Sequence, residues 1–319
     1  MKNILRCLAL AAAFAPLAAS AQVYPTRPVR LMVPFPPGGA TDIVGRLVAT
    51  KMQEVWGQPV VIESKPGAGT VVGTDYVAKS APDGYTLGFV VTAYVINPSL
   101  RKDLPYDTLK DLTGVTQVSV QHLVMAAHPS LPANTIPELI ALARKEPGKL
   151  AYATPGSGTA MHLSVEMLKT SAGIDLVHVP YKGGAPAQQD VVSGRVPILM
   201  DVLYAVQPLI KSGKIKVLAL LSPQRTPDSP DYPVVSETVP GVSALSLVGV
   251  VAPSATPREL VARISGDIAR AVKSSDLTER MKQQGMEPIG SSPEQFDALI
   301  RSEMEKWAKV VKQSGAKVD

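Results

Sequence analysis

Gly38 and Gly39, in the run Pro36-Pro37-Gly38-Gly39-Ala40-Thr41-Asp42, join a strand pattern from Val29 to Phe35 to a helix pattern carrying Ile43, Val44, Leu47, Val48, Met52 and Val55. Such a turn leaves the first backbone N–H groups of the helix without internal partners and puts the positive end of the helix dipole behind them. The chemistry on offer is anion binding rather than bond making. A similar turn, Pro155-Gly156-Ser157-Gly158, follows the strand pattern Leu150 to Thr154 and opens a helix from Thr159 with Met161, Val165, Leu168 and Ala172 on one face. Either turn alone could be a tight connection that needs glycine for its backbone angles. Two donor sites that a hinge could bring face to face favour a ligand cleft between two lobes. Asp42, in the first helical turn, would repel an anion at contact distance, so it is expected to brace the loop while Gly38 to Thr41 supply the donors.

Other chemistries find little support. Ser99-Leu100-Arg101-Lys102 fits the S-x-x-K acyl-enzyme signature, but it is expected in a polar loop after Pro98, without the S-D-N and K-T-G companions. The four histidines, His122, His128, His162 and His178, have no metal-ligand spacing. His162 alone is placed for ligand contact, one turn into the second helix near Ser157 and Thr159. Gly67-Ala68-Gly69 with Gly73 falls one residue off the dinucleotide fingerprint and lacks the acid that should follow. The expectation is therefore a protein with no catalytic residue, no metal site and no cofactor. Its rival is a periplasmic serine hydrolase, which lacks a G-x-S-x-G elbow here.

The elements that must position these residues alternate along 319 residues, a length suited to two lobes. Lys2, Arg6, the apolar run Leu8 to Leu17 and the small residues Ala19 and Ala21 form a secretory signal with cleavage after Ala21. Cys7 is the only cysteine and lies inside it, so the exported chain has no thiol or disulfide chemistry. Without Lys2 and Arg6 the formal charge falls from +5 to +3, and no basic run suggests nucleic acid. Strand patterns at Pro59 to Glu63, Tyr85 to Thr92, Leu176 to Pro180, Val196 to Met200 and Lys216 to Leu221 alternate with helix patterns, which implies an α/β fold with largely parallel sheets. Thr116 to Ala127 and Leu245 to Val251 read as two extended crossings between lobes. The expected division is a signal over 1–21, a discontinuous first lobe over 22–123 and 243–319, and a second lobe over 124–242. Thr256-Pro257-Arg258-Glu259 and Ser292-Pro293-Glu294-Gln295 are expected helix caps.

The runs PFPPGGATDIVGR, ESKPGAG, PDGYTL, INPSL, LAYATPGSGTAMH, HVPYKGGAPAQQD, IKSGKIKVLAL and GVVAPSATP, in that order, resemble the Bug-type (Bordetella uptake gene) solute-binding proteins of tripartite tricarboxylate transporters. The resemblance covers essentially the whole mature chain. It implies a type II, Venus-flytrap periplasmic binding fold with two crossing strands as hinge, closing on a small organic carboxylate. It implies a monomer that serves membrane permease subunits, with presentation to a membrane sensor kinase as the alternative partner. On matching positions it points to Gly38, Gly39, Ala40, Thr41 and Asp42 in the first lobe. In the second it points to Ser157, Gly158, Thr159 and His162, with Tyr181, Lys182, Gly183, Gly184, Ala185 and Asp201. Phe35 and Tyr94, at strand ends, are expected walls that sort ligands by shape, and Thr92 joins them as a ligand-binding residue.

Overall fold

The apolar run after Pro28 forms β1 (Val29–Val33), buried at four of its five positions, and the chain turns through the glycines into α1 (Ala40–Trp56). That helix buries Val44, Val48 and Met52, one stripe at four-residue spacing, and stops at Gly57 in the left-handed conformation. β2 (Val60–Ser64), α2 (Val71–Ala78), β3 (Thr86–Val91) and α3 (Ala93–Leu100) follow. β1 lies between β2 and β3, parallel to both. The computed structural model describes residues 24–225, 230–283 and 285–317, so the expected signal and its cleavage site lie outside the described residues.

β4 (Leu112–Ala127) then runs for 16 residues. From Leu112 to His122 it pairs antiparallel with β9 (Leu245–Pro253). From Leu123 onward it pairs with β7 (Ile198–Val202) and, from Val124, with β8 (Lys216–Leu220). The second lobe adds α4 (Ile136–Lys145), β5 (Ala151–Thr154), α5 (Ala160–Ala172), β6 (Val177–Pro180), α6 (Gly184–Val192) and α7 (Leu203–Lys211). β5 is parallel to both β6 and β7. The sheet order is β2-β1-β3-β9-β4-β7-β5-β6, with β8 and a short β10 (Met286–Pro288) also on β4. Parallel pairing thus holds within each lobe, and antiparallel pairing enters where the crossing strands join.

The tail supplies α8 (Arg258–Val272), α9 (Ser275–Gln283) and α10 (Pro293–Ser314). α10 packs along β4 and α3 and reaches α5 of the second lobe. Its start carries a complete capping box between Ser292 and Gln295. The other expected cap is corrected: α8 has Pro257 at its N-cap with no side-chain cap, and the buried Thr256 hydroxyl has no partner. The expected loop around Ser99 is corrected as well. Ser99 and Leu100 form the last turn of α3, a helix buried continuously from Ala93 to Asn97 whose unbroken apolar run carries no helical period.

Candidate ligand site between the lobes

The strand-to-helix turns of both lobes are built on one plan. Gly38 and Gly158 both adopt positive φ, +82° and +77°, where a side chain would be strained. Each donates its N–H to the side chain four residues on: Gly38 to Asp42 Oδ2 at 3.0 Å, Gly158 to His162 Nδ1 at 3.2 Å. Asp42 also accepts from Arg46 Nε at 2.8 Å on the same oxygen. Burial alone would raise its carboxyl, but the hydrogen bonds from Arg46 and Gly38 and the Arg46 charge hold it below the ordinary value.

His162 can accept from a backbone N–H only as the neutral ring with its proton on Nε2. Burial enforces that state, lowering its pKa to about 4. Its ring stacks on His178 with centroids 4.0 Å apart and planes within 9°, and His178 stacks in turn on Tyr152. His178 is lowered to about 3 by burial first, then by His162 and Lys169. Thr159, the N-cap of α5, accepts from the His162 N–H and donates to the Gly156 carbonyl at 2.8 Å.

With Gly38 and Gly158 bonded to their braces, the N–H groups left for a ligand include those of the first helical turns, among them Ala40 and Thr41 in α1 and Ala160 and Met161 in α5. Gly38 keeps its place in the cavity wall, with its N–H directed to Asp42. α6 adds a third N-terminus, opening at Gly183 and Gly184. All three helix starts border one cavity of about 190 Å³. Pockets for drug-sized ligands run about 300–1,000 Å³, so this space suits a small solute.

Of the sequence-expected residues, Phe35, Gly38, Gly39, Ala40, Thr41 and Thr92 line the cavity from the first lobe. Thr159, Lys182, Gly183, Gly184, Ala185 and Asp201 line it from the second. Asp42, Gly158 and His162 stand one layer behind, as braces. Tyr94 is corrected: it is 1% exposed, its hydroxyl donates to the Thr108 carbonyl at 2.9 Å, and it does not border the cavity. Tyr181 is also turned away, its hydroxyl donating to Asp190 at 2.7 Å, and with burial this raises its pKa to about 12. Ser157 belongs to the seam between lobes, since a Cβ on Gly69 would stand 3.1 Å from its carbonyl oxygen. Gln121, Gln188 and Ser246 border the cavity but were missed. Gln121 and Ser246 face each other in register where the crossing strands pass between lobes; Ser246 stands out in the otherwise apolar β9, whereas Gln121 is one of several polar residues in β4 and carried no such signal.

Asp201 closes the second-lobe wall at the end of β7. It is 1% exposed; its carboxylate accepts from the Val202 N–H at 2.8 Å and from Gln188 Nε2 at 2.9 Å. A Cβ on Gly184 would come within 2.9 Å of Oδ2, so the start of α6 lies directly against it. Burial raises its pKa to about 6 despite those two hydrogen bonds. The lobes also touch directly: Tyr204 of α7 donates its hydroxyl to the Ala40 carbonyl at 2.6 Å and accepts from Gln121 Nε2 at 3.3 Å. Among the described residues no cluster of His, Cys, Asp and Glu could hold a metal, and no helix is long and apolar enough to cross a membrane.

Known proteins share this architecture. The family model described as the tripartite tricarboxylate transporter family receptor matches residues 44–316. Protein BugT of Bordetella pertussis is 36% identical over 323 positions, covering 100% of this chain and 99% of BugT. The structure of R. palustris Rpa4515 with adipate matches with a TM-score of 0.89 at 35% identity, over 92% of this chain and 100% of that one. That of MatC (Rpa3494) from Rhodopseudomonas palustris with bound malate gives 0.85 at 30% identity, over 90% and 100%. With a match along nearly the whole length and two lobes enclosing a cavity of helix N-termini, the chain belongs to the tripartite tricarboxylate transporter receptors, the Bug-type periplasmic solute-binding proteins.

Proposed function

We propose that this protein captures a small organic carboxylate between its lobes in the periplasm and delivers it to the membrane permease of a tripartite tricarboxylate transporter. The observation that carries the reading is the convergence of three helix starts, α1, α5 and α6, on one small cavity with N–H groups free to donate. The braces support it, because Asp42 and His162 fix the loops without occupying the donors of the first turns. Adipate in one relative and malate in another make small dicarboxylates the first compounds to try.

The lobes we assign are 22–123 with 243–319, and 124–242. A carboxylate that bridges them only when the cleft is shut favours the closed state by those extra contacts. Thermal-shift and calorimetric titration against small carboxylates and their amides tests the reading. A true ligand at 100 times its dissociation constant stabilises by about 2.7 kcal/mol, while the matching amide does not. Flat responses to every carboxylate would sink it. For delivery, radiolabelled uptake of that ligand should fall in a strain lacking the protein and return on complementation.

A further inference from the structure

Resting on the carboxylate reading, we propose that the ligand also carries a hydroxyl or amino group and donates it to the carboxylate of Asp201, making this a receptor for hydroxy- or aminocarboxylates. Among the described residues, Lys182 and Asp201 are the only charged side chains that border the cavity. Lys182 is exposed at the rim, whereas Asp201 is buried in the wall. Among the described residues no ion pair reaches Asp201, unlike Asp42, whose charge is matched by Arg46.

A carboxylate offers about four acceptor positions on its two oxygens. The Val202 N–H and Gln188 Nε2 account for two. Asp201 borders the cavity, from which a further donor can arrive. A purely apolar ligand portion would bury the remaining capacity unused, and a second ligand carboxylate would meet a like charge. The neighbours reinforce acceptor character. Gln188, which also borders the cavity, spends an amide N–H on Asp201. Tyr204 keeps its proton, its pKa raised by burial and then by the Asp201 charge, and that proton is directed to Ala40. Helix N–H groups thus take the ligand's carboxylate, while Asp201 takes its donor.

The test is calorimetric binding to pairs that differ by one group: malate or aspartate against succinate, lactate against propionate, 2-hydroxyglutarate against glutarate. For the class of ligand that binds, the donor-bearing member should be at least about tenfold tighter, the size of one charge-assisted hydrogen bond. Asp201→Asn, which keeps the shape and removes the charge, should narrow that gap severalfold, chiefly by weakening the donor-bearing member. Pairs bound within about threefold of each other by the native protein would overturn the assignment whether or not the variant folds, and would leave the carboxylate reading standing. An unchanged gap in a folded Asp201→Asn would also overturn it. Absence of binding by any carboxylate would instead remove the reading on which it rests.

Discussion

At the level of single residues, the two braces differ in how they answer to acid. Asp42 is held below the ordinary carboxylate value, whereas His162 and His178 are held neutral at about 4 and about 3 against an ordinary 6.5. Between those values the unfolded chain binds more protons than the folded one, so stability rises with pH across the window and is lost on acidification from about 6.5 toward 4. Asp201, raised to about 6 in the folded protein, releases a proton on unfolding in the same range and offsets one of the two that the histidines take up. Urea unfolding measured from pH 7.5 to 4.5 should therefore show a fall in stability with a net uptake of about one proton, and a flat profile over that range would contradict the assignment. Ligand affinity should decline toward the bottom of the window, because protonated His162 cannot accept from Gly158 and the second loop loses its tie. The sequence made His162 legible through its place one turn into a helix. Its stacking on His178 was not legible, because β6 must first pair with β5 and α5 must pack over them before the rings meet. The same limit applies to Tyr94: a residue at a strand's end can face the cleft or the core, and only the helix that follows decides.

Elements were most legible where glycine or proline punctuated a strong period. α1 and α5 could be placed from their turns and apolar stripes, and α10 from its capping box. α7 was missed because Pro208 sits inside it, although the proline falls in the last turn, where the helix is ending. β10 is three residues long and owes its conformation to pairing with β4. The fit of α10 against the crossing strands is tight at Gly249, where a Cβ would lie 2.1 Å from Phe296 Cζ and within 3 Å of two further ring atoms. Gly249→Ala should therefore destabilise the protein by about 1–3 kcal/mol or more, since a packed aromatic ring must move. Gly249→Ala with Phe296→Leu should recover part of the loss. Chemical denaturation reads both, and a single variant as stable as the native chain would show that α10 can shift.

Across the whole molecule, contacts that do not involve a ligand join the two lobes beside the cavity. Pro36 lies against Gly183, Gly69 against Ser157, and the Tyr204 hydroxyl against the Ala40 carbonyl. Removing that hydroxyl in Tyr204→Phe should cost the closed state about 0.5–1.5 kcal/mol. Apparent affinity should weaken about two- to tenfold, and small-angle scattering of the ligand-free variant should show a larger radius of gyration. Unchanged affinity and radius would mean that the bond does not bias closure. The sheet order has a consequence for how such a molecule is made. β9, the strand between β3 and β4, comes from residues 245–253, after β5, β6, β7 and β8 have been synthesised. A nascent chain that ends at residue 244 possesses β1, β2, β3 and β4 but not the strand that joins them into one sheet. The first lobe to be translated is therefore the last to be completed: its sheet closes only when residues 245–253 arrive, with the helices of the tail still to follow.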